Sequence, residues 1–182
     1  MIAYIVCEGD FDAKLLKVIL PKELLQNIEV VPAGGSYAAE SLARSLIVRR
    51  QVPVVLVLDA DLVDPDLVKE RSASIQETVE SVSINTLVKV ILATPEMETI
   101  FFQDSLLLSR LLVQEITQET MIWATFQPRK TLEKLLAQSE SYHSQSQLIE
   151  QLANENLETL RKAPVIQELI QFLQSVREPV KV

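Results

Sequence analysis

The chain has a single cysteine, Cys7, and a single histidine, His143, so it holds no disulfide framework, no cysteine zinc cluster and no centre that needs two histidines. One histidine leaves a Ser-His-Asp triad open by count, but His143 lies in the polar run SESYHSQSQ and reads as a solvated surface residue. Positive charge is also short: 25 acidic against 17 basic residues give a net charge of −8, which counts against a broad electrostatic surface for nucleic acid. That deficit does not exclude nucleic-acid chemistry at carboxylates, because a bound cation reverses the local sign. No apolar run approaches the ~20 residues that cross a bilayer. Met1 leads into a strand-like run with neither a basic leader nor a small-residue cleavage site, so a cytoplasmic protein with no membrane partner is expected. Only three glycines occur, Gly9, Gly34 and Gly35, which makes their placement informative.

What is present is globular composition, 48% hydrophobic and 23% charged in 182 residues, enough for one folded unit with a sizeable core. Residues 2–7 (IAYIVC) form an apolar β-branched run ended by Glu8-Gly9, and predict a first strand followed by a helix to Pro21. A second strand is predicted over 28–33, closed by Gly34-Gly35, with a helix starting at Ser36. The third, VPVVLVLDAD over 52–61, is apolar on both faces and reads as a central parallel strand. Asp64-Pro65 predicts an N-cap with proline at the first helical position, opening a helix to about 83, and Thr94-Pro95 repeats that pair after a fourth strand over 87–93. Strands alternating with helices predict an α/β fold with an open, mostly parallel four-stranded sheet of Rossmann-like kind. Residues 1–103 are assigned to it, and 104–182 to a helical C-terminal extension packed on it. In that extension, helices are expected around Leu106–Leu112, from near Pro128, over roughly 147–161 and over 164–177, with 139–147 as a loop.

In an open parallel sheet, ligands bind beyond the carboxyl ends of the strands. Strands one, three and four would deliver Glu8, then Asp59 and Asp61, then Glu96 and Glu98 to that one edge, and all three glycines fall there too. Carboxylates gathered without histidine or cysteine suit hard divalent cations, Mg²⁺ or Mn²⁺. Asp59 and Asp61 stand two apart, so where the strand persists both side chains point the same way and can share an ion. Such a site supports phosphoryl transfer or phosphodiester hydrolysis, with Glu8 placed to position or deprotonate the nucleophile.

IVCEGDFDAKLL followed by VVLVLDAD resembles the TOPRIM family, found in topoisomerases, primases and nucleases, and most closely its small stand-alone members and the OLD-type nucleases. Glu8, Gly9 and Asp12 match the first motif of the form E-G-x-x-D/E, Asp59 and Asp61 match D-x-D, and PAGGS and TPEMETIFF match the turns after strands two and four. The resemblance covers residues 2–103. It implies Glu8 as metal ligand or general acid-base, Asp59 and Asp61 as metal ligands and catalytic residues, and Asp12 and Glu98 as candidates for a second ion. Gly9, Gly34 and Gly35 are assigned to turns that approach a phosphate. Two departures stand out: Asp64, in the place of a further acid, reads equally as an N-cap, and no ATPase motif like that of OLD-type nucleases occurs.

Three functions follow: a Mg²⁺-dependent phosphoesterase or nuclease acting on nucleic acid; a non-catalytic TOPRIM-fold module serving a larger nucleic-acid-processing or defence complex; and a haloacid-dehalogenase-like phosphatase, which also uses D-x-D. Partners expected are nucleic acid, without a strong basic patch, and a protein or second copy bound through the C-terminal helices. Arg49-Arg50 and Arg129-Lys130 are the adjacent basic pairs, while Trp123 and Phe126 read as core or partner contacts. Asp10 reads as a helix cap, and Cys7 as a packed strand residue.

Overall fold

Alternation along a strand decides which layer each side chain enters, and here both layers are apolar. The computed structural model describes residues 2–177. Strands β1 (Ala3–Cys7), β2 (Ile28–Pro32), β3 (Val54–Asp59) and β4 (Val88–Ala93) form one all-parallel sheet in the order β2-β1-β3-β4. Ile5, Cys7, Val55, Val57 and Ile91 face one side, and Tyr4, Val6, Leu56, Leu58 and Val90 the other. Each fully buried side chain of this size contributes roughly 1.5–3 kcal/mol, so a sheet buried on both faces needs helices on both.

Helices α2 (Ser36–Arg50) and α3 (Pro65–Glu80) cover the second face through Ala39, Ala43, Ile47, Ile75 and Val79. The first is covered by α1 (Asp10–Ile19) together with α4 (Ser105–Leu112), α5 (Gln118–Phe126), α6 (Pro128–Gln138), α7 (Gln145–Leu152) and α8 (Pro164–Ser175). Leu112, Leu132, Leu148 and Leu169 lie in the same core cluster as Leu15 and Leu16 of α1, so residues 104–175 close that face of the sheet. Arg161 fastens the two halves by donating to the Ile19 carbonyl at 2.7 Å. The free edge of β4 is capped by Gln76, which donates to Val88 O (3.1 Å) and accepts from Val90 N (2.6 Å), removing an open ladder position that could pair with another chain.

The two aspartate- or threonine-proline pairs turn out differently. Asp64 caps α3, accepting from the N–H groups of Asp66 (2.9 Å) and Leu67 (3.2 Å) with Pro65 as first helical residue. After Thr94-Pro95, whose peptide bond is cis, the chain forms a 3-10 turn, Met97–Gln103, in place of the expected capped helix. Met97 and Ile100 are both buried there, the three-residue spacing that a 3-10 turn brings onto one side. Helix α5 was not foreseen, because its only buried residue is Ala124 and it carries no apolar stripe. Helix α7 begins at Gln145, capped by Ser144, and ends at Leu152, shorter than the segment expected over 147–161; a 3-10 turn, Leu160–Lys162, follows. Of the two predicted spans, Met1 and residues 178–182 lie outside the described residues.

Candidate functional site

The strand register sets the site. Cys7 pairs with Val57 and Asp59 with Ala93, so Glu8, Asp59 and the segment after β4 meet at the carboxyl edge of the sheet. Glu8 Oε1 accepts the N–H of Asp59 at 3.0 Å, which ties the β1 terminus to the β3 terminus; its Oε2 makes no hydrogen bond among the described residues. The β2 turn braces the same point: Gly34 and Gly35, with φ of +87° and +124°, both donate to the Glu8 carbonyl, at 2.7 and 2.9 Å. Those left-handed angles call for glycine. Gly9 does not need that freedom, since its φ of −141° is extended. Its N–H donates to Asp12 Oδ2 at 2.9 Å, so Asp12 caps α1 and Asp10, expected as the cap, is the first helical residue. All three glycine amides are thus committed inside the protein, and the expected phosphate-approaching turns are instead braces for Glu8 and Asp12.

The centre of the site is an arginine that the sequence named only within the basic pair Arg129-Lys130 and did not place among the acids. Arg129, second residue of α6, reaches across to β3 and the turn after β4. Its guanidinium donates to Asp59 Oδ2 (2.5 Å) and Glu98 Oε1 (2.8 Å) and lies 3.6 Å from Glu96 Oε1. Its backbone N–H donates to Glu96 Oε2 at 3.0 Å. Asp59 Oδ1 accepts the Met97 N–H at 2.8 Å, and Gln145 at the start of α7 donates to Glu98 Oε1 at 3.4 Å. Glu98 is 1% exposed, and its Oε2 is buried without a hydrogen-bond partner. Three carboxylates (Asp59, Glu96 and Glu98) therefore share one guanidinium, and Glu8 and Asp12 lie beside them, bonded to the N–H groups of Asp59 and Gly9.

Electrostatics follow from that imbalance. Burial pushes the Asp59 carboxyl from its ordinary 3.8 up to about 7; Asp12 and Glu98 add to the shift, and the Met97 N–H and Arg129 offset only part of it. Asp12 is likewise raised to about 6, first by burial and then by Glu98 and Glu8, against the Gly9 N–H. For Arg129, burial works to lower the pKa, but the hydrogen bond and charge of Glu98 with the charges of Asp59 and Glu96 outweigh it and hold the guanidinium charged. Cys7 is buried and its thiol is pushed up to about 12, chiefly by burial, so it is a packing residue.

The structure brings Glu8, Asp12, Asp59 and Glu98 together and leaves Asp61 outside. β3 stops at Asp59, and Asp61 adopts φ +53°, so the two-residue alternation that would align the pair no longer applies. The Asp61 side chain is 61% exposed and pairs with Arg71 of α3 at 3.5 Å, while the same arginine also holds the Ala60 carbonyl. Asp64 is the α3 cap, and His143 is exposed. Among the described residues no three Asp, Glu, His or Cys side chains stand close enough to ligate one ion as they are; Arg129 occupies the space between them. Arg129 and Gln145 escape a sequence reading because 70 residues separate Arg129 from Asp59 with no spacing rule between them. The one signal was indirect: a predicted acid cluster demands a cation.

No family model matches the sequence, and no curated protein matches it. Among solved structures, the C-terminal region of the Xanthomonas campestris pv. campestris OLD protein matches with a TM-score of 0.51 at 15% identity, over 96% of this chain and 95% of that one. The C-terminal region of the Burkholderia pseudomallei OLD protein matches with a TM-score of 0.52 at 16% identity, over 96% and 98%. The fold resembles that of these OLD C-terminal regions. The match spans the helical half as well as the sheet, whereas the sequence motifs covered residues 2–103 alone. At such identity the likeness is one of fold, and the chemistry has to be argued from the side chains.

Proposed function

We propose that the carboxylate cluster is a divalent-cation-dependent phosphodiesterase site of TOPRIM type, acting on nucleic acid. The observation that carries the reading is the unbalanced charge: three carboxylates, Asp59, Glu96 and Glu98, share one guanidinium, Asp12 stands near enough to raise the Asp59 pKa, and Glu98 Oε2 is buried and unpartnered. A donor set made only of carboxylate oxygens suits Mg²⁺ or Mn²⁺, and the Arg129 guanidinium stands where such a cation would be attracted. Asp59, Glu98, Asp12 and Glu8 are the residues that would hold it. A bound ion of this kind stabilises charge developing on a phosphodiester and lowers the pKa of attached water.

The chain's own residues account for the rest. The Met97 N–H fixes one oxygen of Asp59, leaving the other to exchange partners. Glu8 is held by the Asp59 N–H through Oε1, which leaves Oε2 free to accept a proton from an attacking water. Arg129 holds Asp59 and Glu98 in place at rest, and its forked donors also suit a phosphate. A phosphodiester that engages Arg129 frees the two carboxylates it was holding. Mg²⁺ or Mn²⁺ with a labelled oligonucleotide tests the reading: cleavage that disappears in Glu8→Ala and Asp59→Ala while circular dichroism is unchanged supports it, and cleavage retained in both refutes it.

A second reading, a non-catalytic module of a larger complex, is favoured by one observation: Arg129 already fills the cluster. It predicts no change in melting temperature with Mn²⁺, whereas binding to the native state must raise it. The haloacid-dehalogenase alternative needs both aspartates of Asp59-Ala60-Asp61 at one centre, and the Asp61–Arg71 pair gives it no support.

A further inference from the structure

Helix α5 turns its largest side chains outward. Trp123 is 56% exposed, with Ile122 and Phe126 beside it similarly open, so of the two sequence expectations for Trp123 and Phe126, core or partner contact, the first does not hold. Between α5 and α6 runs an open groove of about 290 Å³, lined by Trp123, Lys130 and Lys134 with Thr120, Gln127 and Thr131 among its polar walls. No carboxylate lines it, although the chain carries a net charge of −8. Neither lysine is in an ion pair among the described residues. Lys130 and Lys134 are four apart on α6 and so share a side of the helix. The groove and the acid cluster share helix α6, since Lys130 follows Arg129, whose backbone and side chain are bonded to Glu96, Asp59 and Glu98.

We infer that this groove binds single-stranded nucleic acid, with a base stacked on Trp123 and phosphates against Lys130 and Lys134. Resting on the phosphodiesterase reading, it also leads the strand to the cluster. A flat aromatic face beside cations is the usual ssDNA- and ssRNA-binding chemistry, and it needs a base whose face is free, which a duplex does not offer. Two lysines are too few for a duplex footprint. They also argue against a protein occupant, because lysine is depleted at the centre of protein–protein interfaces.

Trp123 is the chain's one tryptophan, so its emission reports on this groove alone. The full chain, in EDTA and low salt, is titrated with an oligothymidylate, and binding is followed by Trp123 emission and by anisotropy of a labelled strand. Emission is expected to be quenched on binding, with log Kd rising against log salt at a slope of about 1.4, that is ~0.7 for each of two phosphates. Lys130→Gln/Lys134→Gln and Trp123→Ala should each weaken binding about 10-fold, and Trp123→Phe should retain most of it. Asp59→Asn should abolish cleavage and leave the quenching intact, so a failed nuclease reading and a failed groove give different results. Binding without quenching, a double-lysine variant that binds like wild type, equal quenching by duplex, or no binding would each overturn the inference. So would emission that shifts with protein concentration alone while the chain sediments as a dimer, which assigns the groove to a second copy.

Discussion

The carboxyl edge of the sheet carries two arrangements of acids around one arginine, and burial separates them. In the inner one, Arg129 meets Asp59 and Glu98, whose side chains are 7% and 1% exposed. In the outer one, Arg71 meets Asp61 in open solvent, with Asp64 capping α3 nearby. Outside, water screens each charge and the pair is worth at most about 1 kcal/mol. Inside, charges withdrawn from water are held only by what faces them, and one guanidinium does not balance the three carboxylates it meets. The same residue types therefore make a buried cluster with raised carboxyl pKa values in one place and an ordinary surface pair a few residues away.

The largest expected difference between them is catalytic. Removing Asp59 or Glu8 should lower metal-dependent oligonucleotide cleavage by about 10³-fold or more, the scale of several kcal/mol of lost transition-state stabilisation. Single-turnover cleavage rates in Mg²⁺ and Mn²⁺ measure this, and a loss below tenfold for both would place the chemistry elsewhere.

Next comes pH. Asp59 and Asp12 bind protons more tightly folded than unfolded, so between about pH 4 and 7 the unfolded chain has already lost protons that the folded chain keeps. Stability then falls as pH rises through that window and levels off above it, by an amount on the order of several kcal/mol. Urea unfolding at pH 4.5, 6 and 8 without metal gives the slope directly. Mn²⁺ should stabilise more at pH 8 than at pH 5, since it competes with those protons.

How much of this was legible in the sequence follows the same division. The sheet was readable because VPVVLVL is apolar at every position, which only a strand buried on both faces requires, and because Gly34-Gly35 marks a turn that needs positive φ. The meeting of Glu8 with Asp59 followed from parallel strand ends. Asp61 was misplaced because the reading assumed that alternation continues past Asp59, whereas the backbone turns left-handed two residues on. The pairing of Arg129 with the acids was invisible because long-range ion pairs leave no periodicity, and α5 because an exposed helix shows no apolar stripe.

A smaller contrast isolates the two arginines. Arg129→Met leaves Asp59 and Glu98 buried without their counter-ion and should cost about 2–4 kcal/mol, the lower value reflecting a guanidinium that is itself 43% exposed. Mn²⁺ should restore much of that loss by taking the vacated position. Arg71→Met should cost about 1 kcal/mol or less and show no metal rescue. Thermal melts of both variants with and without Mn²⁺ decide it: equal losses, or rescue of neither, would make Arg129 a plain structural pair.

The smallest effect is the most discriminating for the D-x-D motif itself. Asp61→Asn keeps the side-chain volume and removes one screened charge from a carboxylate that, among the described residues, pairs with Arg71 alone, so stability should change by no more than about 0.5 kcal/mol and cleavage by less than about fivefold. Asp59→Asn, two residues away, removes a charge bonded to both Arg129 and the Met97 N–H and should eliminate cleavage. If both substitutions reduced cleavage equally, Asp61 would have to swing inward during turnover, exchanging Arg71 for the cluster. Raised cleavage by Asp61→Asn in an Arg71→Met background would give the opposite answer, that the outer pair only steers the strand end.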